Sequence, residues 1–269
     1  ILGLMAFIGG PGKGQGGMFR AHRWQAGGDL TRRLLDMLFP PLCLSCGTEV
    51  DAQGNLCPAC WAKLAFIEGS HCSCCGLPFE ADFGTDVRCA PCLADPPAFA
   101  AARAVLRYDD AARPLILALK HGDRHEAVPS FGRWMARVGR GLLAGSDLPR
   151  KTIVAPVPLH RRRLWRRRYN QAALLAAAVA AELGLPHMAD LLARPRPTPS
   201  QGGLGREERR RNVRNAFAVR RHRMAEIADA HVILVDDVMT TGATADACAR
   251  TLGKAGAARV SVLVLARAT

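Results

Sequence analysis

The arrangement of the cysteines constrains this chain more than any other feature. Eight of its ten cysteines form four Cys-x-x-Cys pairs, all within residues 43–92 of a 269-residue chain. Two residues between two thiolates allow both sulfurs to face one tetrahedral ion at about 2.3 Å, and two such pairs close a structural four-cysteine site. The sequence therefore predicts two zinc ribbons with structural zinc. The paired ligands are Cys43/Cys46, Cys57/Cys60, Cys72/Cys75 and Cys89/Cys92.

Chain order favours joining the first pair with the second and the third with the fourth, although an interleaved order and disulfides remain alternatives. Cys74 is expected to be a bystander of Cys75, or to replace it as a ligand, and Cys248 a small core residue. Gly47 and Gly76 directly follow a pair and are expected to adopt backbone angles that other residues avoid.

Composition divides the chain into three segments. Residues 1–29 are expected to be a disordered extension, or to include sequence upstream of a start at Met18, because the chain begins with Ile and residues 9–17 are rich in glycine. Residues 30–97 carry the cysteines and begin with a predicted amphipathic helix, Leu30–Phe39, which Pro40 would end. Residues 98–269 form the third segment.

This third segment has the pattern of an α/β domain. Short apolar runs over Ile153–Val157, Val232–Val235 and Val260–Leu265 are typical of buried strands. Good helix formers fill Asn170–Leu183, before a glycine that can cap the helix, and Asp246–Lys254. The alternation predicts a parallel sheet with helices on both faces.

Residues 236–244 follow one of these strands and lead directly into a predicted helix. Parallel sheets of this kind bind ligands at the carboxyl ends of their strands. Backbone N–H groups around Gly242 would form an anion site at the helix N-terminus. The carboxylates of Asp236 and Asp237 could accept from a vicinal diol or hold water on Mg²⁺. A vicinal diol beside a phosphate is characteristic of a ribose 5-phosphate. The alternative is that residues 236–244 only end a strand and cap a helix.

The same segment resembles the phosphoribosyl-diphosphate (PRPP) loop of type I phosphoribosyltransferases. Further motifs resemble the ComF family, which joins a double zinc ribbon to a phosphoribosyltransferase domain, and the resemblance spans about residues 30–269. Tyr169 departs from the family, which usually has Gly-Phe or a similar pair before Asn-Gln. The motifs are Phe39-Pro40-Pro41-x-Cys43, Leu119-Lys120-His121-Gly122, Pro156-Val157-Pro158-Leu159, Arg168-Tyr169-Asn170-Gln171, Arg194-x-Arg196-x-Thr198-x-x-Gln201 and Glu208-Arg209-Arg210-x-Asn212-Val213-x-Asn215-Ala216-Phe217.

The resemblance implies a role for each motif. Asp236 and Asp237 would be the catalytic pair, holding the ribose hydroxyls and Mg²⁺. Residues 196–214 would take the place of a mobile hood that closes over the ligand. A cis peptide bond is expected near Val157, because this fold often strains that loop. The implied PRPP-binding residues are Asp236, Asp237, Val238, Met239, Thr240, Thr241, Gly242, Ala243 and Thr244. The implied pyrophosphate loop comprises Pro156, Val157, Pro158, Arg167 and Arg168, and the implied hood contacts are Arg196, Gln201 and Arg209.

The net charge of +14 is concentrated in two stretches. Residues 161–168 hold six Arg and no acid, and residues 206–223 hold eight Arg against two Glu. Both flank the predicted pocket, so they could clamp PRPP or contact nucleic-acid phosphates; a solvated basic face is the alternative. Trp165 and Tyr169 are candidates for base stacking or for the core. No apolar run reaches the ~20 residues of a membrane helix, and a cytoplasmic location is expected.

Three functions remain in competition. The ComF resemblance implies handling of single-stranded DNA in natural competence, with PRPP as ligand and other competence proteins as possible partners. The alternative is an active phosphoribosyltransferase that uses PRPP and an unidentified nitrogen acceptor. A PRPP-sensing regulator is a third possibility.

Overall fold

A computed structural model describes residues 39–121, 124–144, 149, 151–198 and 205–269. Residues Pro41–Thr269 form one compact unit. The extension over residues 1–29 and all but the last residue of the predicted helix Leu30–Phe39 lie outside the described part of the chain.

The cysteine-rich segment consists of two similar halves. In each half an antiparallel bridge, Leu42↔Glu49 in the first and His71↔Pro78 in the second, closes a turn that carries one cysteine pair. A short helix then carries the later cysteine pair: α1 (Pro58–Trp61) begins directly after Cys57, and α2 (Ala90–Ala94) begins after Cys89. Both helices have proline in their first turn, where its missing N–H has no helical partner to lose.

A four-stranded parallel sheet follows, in the order β1-β6-β5-β2, and a small antiparallel pair joins β3 to β4. The strands are β1 (Ala101–Arg107), β2 (Thr152–Pro156), β3 (Leu192–Ala193), β4 (Ala218–Val219), β5 (His231–Met239) and β6 (Arg259–Arg267). The helices after the cysteine-rich segment are α3 (Ala112–His121), α4 (Val128–Gly139), α5 (Arg161–Arg167), α6 (Gln171–Leu183), α7 (Arg206–Val213), α8 (Met224–Ile227) and α9 (Ala243–Lys254).

Helices cover both faces of this sheet, as the sequence predicts. Successive residues of β5 point to opposite faces, so Val232 and Leu234 pack in one core with Cys248 of α9. Ile233 and Val235 pack in the other core, with residues of α3, α4 and α6. The first five residues of β5 have no exposed surface, because the strand is central and covered on both sides.

The predicted elements are confirmed, with different limits. The helix at Asn170–Leu183 begins at Gln171, with Asn170 as its N-cap and Gly184 as a left-handed C-cap. The strand predicted to end at Val235 continues to Met239, because β6 keeps pairing with it as far as Arg267. The sequence assigned no element between residues 98 and 152, where the structure has β1, α3 and α4.

The cysteine-rich segment lies against the outer edge of β1. Phe66 forms an antiparallel bridge with Leu106, and the Ile67 amide donates to the Val105 carbonyl at 2.9 Å. The Ala102 amide donates to the Cys74 carbonyl at 2.7 Å. The segment thus supplies partners to backbone groups that an edge strand would otherwise leave open.

Within the described ranges, no helix has both the length and the apolar character of a membrane span.

Candidate functional site

The phosphate loop predicted from the sequence lies between β5 and α9. Gly242 is the N-cap of α9 and has a φ of 79°, a left-handed conformation that favours glycine. The Ala243 amide points to the Thr241 hydroxyl at 3.4 Å. The turn therefore presents the amides and hydroxyls of residues 240–244 at the N-terminus of a twelve-residue helix, an arrangement that favours an anion.

The two acidic residues before this loop lie inside β5 and point to opposite faces of the sheet. Asp237 is buried, and its Oδ2 lies 3.1 Å from Lys120 Nζ and accepts from Gln171 Nε2 at 3.0 Å. The Oδ1 of Asp236 accepts from the Asp237 amide at 2.9 Å. Burial raises the pKa of Asp236 to about 7, and the nearby charge of Asp237 adds to the rise. A cation that binds beside this carboxyl would lower its pKa and favour the ionised form.

Lys120 and Gln171 are functional candidates that residue-level reasoning missed. Each belongs to a motif on which the family resemblance rests, but only Asp237 was assigned a role. The structure brings the three together from α3, α6 and β5. The Lys120 ammonium gives the Asp237 carboxylate a partner of opposite charge at a buried position where an unpaired charge would be costly.

Arg194 is a third missed residue and lies on the other side of β5. Its side chain is buried, its guanidinium stacks 5.1 Å from the centre of the Phe217 ring, and it donates to the Thr198 hydroxyl. Its charge opposes the rise in the pKa of Asp236. Each acidic residue of the pair thus has a basic neighbour on its own face.

The predicted pyrophosphate loop follows β2. The Val157 amide donates to the Val235 carbonyl at 2.9 Å, which continues the ladder between β2 and β5, and Asn170 Nδ2 donates to the Val157 carbonyl at 3.1 Å. The expected cis peptide near Val157 is wrong, because the described peptide bonds are all trans and this residue stays in the extended ladder.

The first arginine cluster was placed in this loop, but the structure shows most of it as the helix α5. Arg and Leu are good helix formers, and the ring of His160 caps the helix by accepting from the Arg162 amide at 3.2 Å. Arg168 follows as a left-handed C-cap with a φ of 67°. Arg167 is half-buried, and its Nε has no hydrogen-bond partner among the described residues.

The predicted hood contains the helix α7, and Gln201 lies outside the described residues. Glu208 caps α7 by accepting from the Gly205 amide at 2.8 Å. Arg209, on α7, lines a cavity of about 300 Å³ together with Thr240, Thr241 and Gly242. Arg196 donates instead to the Asn212 carbonyl at 3.3 Å, which joins the base of the hood to α7. The structure therefore brings Arg209, among the named hood residues, to the phosphate loop.

The eight paired cysteines form two groups, each with all Sγ atoms within 4.8 Å of one another. The groups confirm the order of pairing favoured above and leave Cys74 outside, as expected; Cys248 is fully buried in the core. The groups are Cys43, Cys46, Cys57, Cys60 and Cys72, Cys75, Cys89, Cys92.

The second group has the surroundings of a metal thiolate centre. Burial raises the pKa of Cys72, but amides of Cys75 and Cys89 that donate to its sulfur at 3.4 and 3.3 Å outweigh burial and lower it to about 7. A zinc ion with four thiolates carries two negative charges. Two buried or half-buried arginines border the group: Arg103 donates to the Ser73 carbonyl, and Arg267 to the Cys75 carbonyl. Gly47 and Gly76 have positive φ values of 74° and 66°, as expected.

Comparison with known proteins agrees with these two parts of the chain. A family model described as double zinc ribbon domain matches residues 34–93, and one described as phosphoribosyl transferase domain matches residues 170–269. "Competence protein F" of Haemophilus influenzae is 30% identical over 229 residues, which cover 84% of this chain and 96% of that protein. "DNA utilization protein YhgH" of Escherichia coli (strain K12) is 32% identical over 236 residues, covering 85% of this chain and 97% of that protein. The chain belongs to the ComF family.

The solved structures are more distant from this ComF-family chain. A glutamine PRPP amidotransferase from B. subtilis, solved with ADP and GMP, is 18% identical, covers 55% of this chain and 30% of its own, and has a TM-score of 0.34. This similarity is too low to carry an argument.

Proposed function

We propose that this ComF-family protein binds PRPP, or another ligand with a ribose 5-phosphate group, together with Mg²⁺, and acts on single-stranded DNA in natural competence or DNA uptake. The observation that carries the first half is the phosphate loop, which directly follows Asp236 and Asp237 at the carboxyl end of β5 and shares a cavity with Arg209. The relatives named for competence and DNA utilization, together with the net charge of +14, support the second half.

Each group has a defined task in the proposed complex. The amides and hydroxyls of residues 240–244 bind the 5-phosphate, and Arg209 adds a cation on the side of the hood. The half-buried Asp236 accepts from the ribose hydroxyls, and Asp237, which Lys120 and Gln171 hold on the opposite face of β5, adds negative charge at the same edge of the sheet. Mg²⁺, when bound, would neutralise diphosphate charge and lie near the same carboxylates. The zinc centres are structural, because four thiolates leave no open position.

Thermal unfolding with and without Mg–PRPP tests the first half. A ligand at one hundred times its Kd stabilises by about 2.7 kcal/mol, which is a rise in Tm of roughly 5–10 °C for a chain of this size. We expect this shift in the wild type and its loss in the double variant Asp236→Asn, Asp237→Asn, which preserves side-chain shape. Asp110→Asn, an exposed acid after β1, is the matched control. A wild type that shows no shift would contradict the proposal.

The second candidate function is an active phosphoribosyltransferase, favoured by the phosphoribosyl transferase domain match over residues 170–269. In that reaction a nitrogen nucleophile forms a bond to C1 of the ribose, the bond from C1 to the diphosphate oxygen breaks, and pyrophosphate leaves with the electron pair. The nitrogen then loses its proton to solvent. Mass spectrometry of pyrophosphate and product, from PRPP with a panel of nitrogen acceptors, tests it. PRPP binding without turnover would contradict this second candidate and would fit either the binding function proposed first or a PRPP-sensing regulator.

The proposed compartment is the cytoplasm, where glutathione and thioredoxin keep thiols reduced. The two four-cysteine groups, whose sulfurs must be reduced thiolates to bind zinc, support this proposal. Other proteins of the competence system are the proposed partners.

A further inference from the structure

Trp165 lies on the helix α5 with 88% of its surface exposed, the largest fraction among the large apolar side chains of the described residues. A tryptophan ring in water forgoes the burial that usually makes it one of the most stabilising side chains. Tyr169, the other stacking candidate from the sequence, is half-buried: its hydroxyl donates to the Leu119 carbonyl at 2.6 Å and its ring packs at a tilt against that of His125. The structure thus separates a structural aromatic residue from one that is open to solvent.

The polar residues of the helix around Trp165 are all arginines. Helical spacing places Arg161 and Arg162, four and three residues earlier, on the same side of α5, and both are exposed. Arg166 and Arg168 are exposed as well. No acidic residue occurs in the sequence between Asp147 and Glu182. The inward side of α5 is formed by other residues, and Arg163 donates there to the Thr198 carbonyl at 3.1 Å.

A basic cavity continues this surface. Its volume is about 640 Å³, and Arg161, Arg194 and Arg220 line it together with Asn170. Its one acidic lining residue, Asp190, is already paired with Arg223 at 2.8 Å and His222 at 3.0 Å. The surface from Trp165 to this cavity therefore offers one aromatic face and several cations without a competing carboxylate.

We propose that Trp165 is a stacking platform for an unpaired base of a single-stranded nucleic acid, whose phosphates lie along Arg161, Arg162 and the adjacent cavity. This inference rests on the single-stranded DNA half of the proposed function and supplies its contact surface. A paired duplex hides its base faces, whereas a single strand offers a π-face with every base. Stacking on an aromatic side chain beside cations is the usual mode of binding that tolerates any sequence.

Two oligonucleotides of equal length and charge test the stacking: oligo(dT) and the same phosphodiester chain with abasic sites. Fluorescence anisotropy of labelled strands gives the Kd. We expect Trp165→Ala to weaken oligo(dT) binding about 5- to 100-fold, Trp165→Phe to retain most of the affinity, and the abasic strand to bind all three proteins alike. Phe83→Ala, which removes another exposed aromatic side chain, in the cysteine-rich segment and outside this cavity, is the control and should change neither affinity.

The salt dependence of the binding constant distinguishes the contribution of Trp165 from that of the arginines. Neutralising Arg161 and Arg162 with Gln should reduce the slope of log K against log salt by about 1.4, because each phosphate contact on a single strand contributes about 0.7. Trp165→Ala should leave the slope unchanged. Three results would overturn the proposal. Trp165→Ala could weaken the binding of both strands equally, or leave the binding of oligo(dT) unchanged. The protein could also bind anionic vesicles through Trp165 and not bind oligo(dT) at all. The Mg–PRPP thermal shift should persist in Trp165→Ala, so failure here is distinguishable from failure of the PRPP site.

Discussion

Arg168 ends the helix α5 with a φ of 67°, in the left-handed region that non-glycine residues reach only at a free-energy cost of about 1 kcal/mol. Its backbone turns the chain from α5 to Asn170, which caps α6 and holds the Val157 carbonyl. The sequence marked this place by the departure at Tyr169 from the usual Gly-Phe. The family's glycine suits such a turn, and the present chain has a charged residue there instead.

We predict that Arg168→Gly raises the free energy of unfolding by about 1 kcal/mol, because glycine adopts a positive φ without strain. The same substitution at Arg167, the last residue of α5, should lower it by a similar amount, because glycine is unfavourable inside a helix. Urea unfolding followed by circular dichroism measures both. A loss of stability in Arg168→Gly would show that contacts of the arginine side chain outweigh the backbone strain.

The sequence predicted the two four-cysteine groups well and the arrangement of Asp236 and Asp237 less well. Cysteine spacing identifies the four pairs, chain order favours joining neighbouring pairs, and the four-cysteine groups follow that order. Adjacent carboxylates, by contrast, look like one diol clamp in the sequence, whereas the strand places Asp236 and Asp237 on opposite faces. The partner of Asp237 on its face, Lys120, is more than one hundred positions away, so local pattern could not reveal it.

At the scale of elements, β6 connects the second cysteine group to the phosphate loop. Arg267, near its end, is 7% exposed. Its guanidinium donates to the Cys75 carbonyl at 3.4 Å and to the Met239 carbonyl at 3.3 Å, and also bonds the Thr240 carbonyl. One of its nitrogens lies 4.0 Å from the Cys75 sulfur. A single side chain therefore fixes both the cysteine turn and the residues that lead into Gly242.

We predict that Arg267→Met lowers the free energy of unfolding by roughly 2–4 kcal/mol and reduces the thermal shift caused by Mg–PRPP. The methionine fills the space but removes the Arg267 donor from the buried Cys75 carbonyl, at about 1–3 kcal/mol, and also removes its bonds to the Met239 and Thr240 carbonyls. Arg267→Lys should keep only part of the stability and of the thermal shift, because an ammonium lacks the planar fork that reaches several acceptors. Thermal unfolding with and without ligand measures both effects.

The matched control is Arg259→Met, at the opposite end of the same strand and away from the loop. It should change the ligand-induced shift little. If Arg267→Met kept the full shift, the cysteine group and the phosphate loop would be independent despite their shared arginine.

The limits of β5 show why elements were predicted better than their lengths. Val232–Val235 is apolar and identifies the strand, but polar residues follow it in the sequence. Pairing with β6 carries the strand on to Met239, opposite Arg267. A hydrophobic pattern records burial, and the last part of this strand is polar and less completely buried, with Asp236 and Val238 half-buried.

For the whole molecule, the cysteine-rich segment completes the sheet. β1 would be an open edge, yet Ala102 and Arg107 donate outward to the carbonyls of Cys74 and Ala65 at 2.7 and 2.8 Å. Composition marked this segment as separate, since a change of pattern follows the last paired cysteine. These contacts were not predictable, because backbone pairing between distant segments leaves no periodic signal in either one.

Zinc removal should therefore loosen β1 before it loosens the centre of the sheet. A small four-cysteine module takes much of its folding free energy from its metal, so a chelator should release the carbonyls that hold the outer edge of β1. We expect hydrogen exchange, followed by mass spectrometry, to accelerate in peptides that cover Ala101–Arg107 while those that cover His231–Val235 stay protected between two neighbouring strands. Adding zinc back should restore slow exchange, and the exposed edge should increase aggregation in its absence. Unchanged exchange in β1, or simultaneous loss in both strands, would show that the cysteine-rich segment does not act as a cover for this edge.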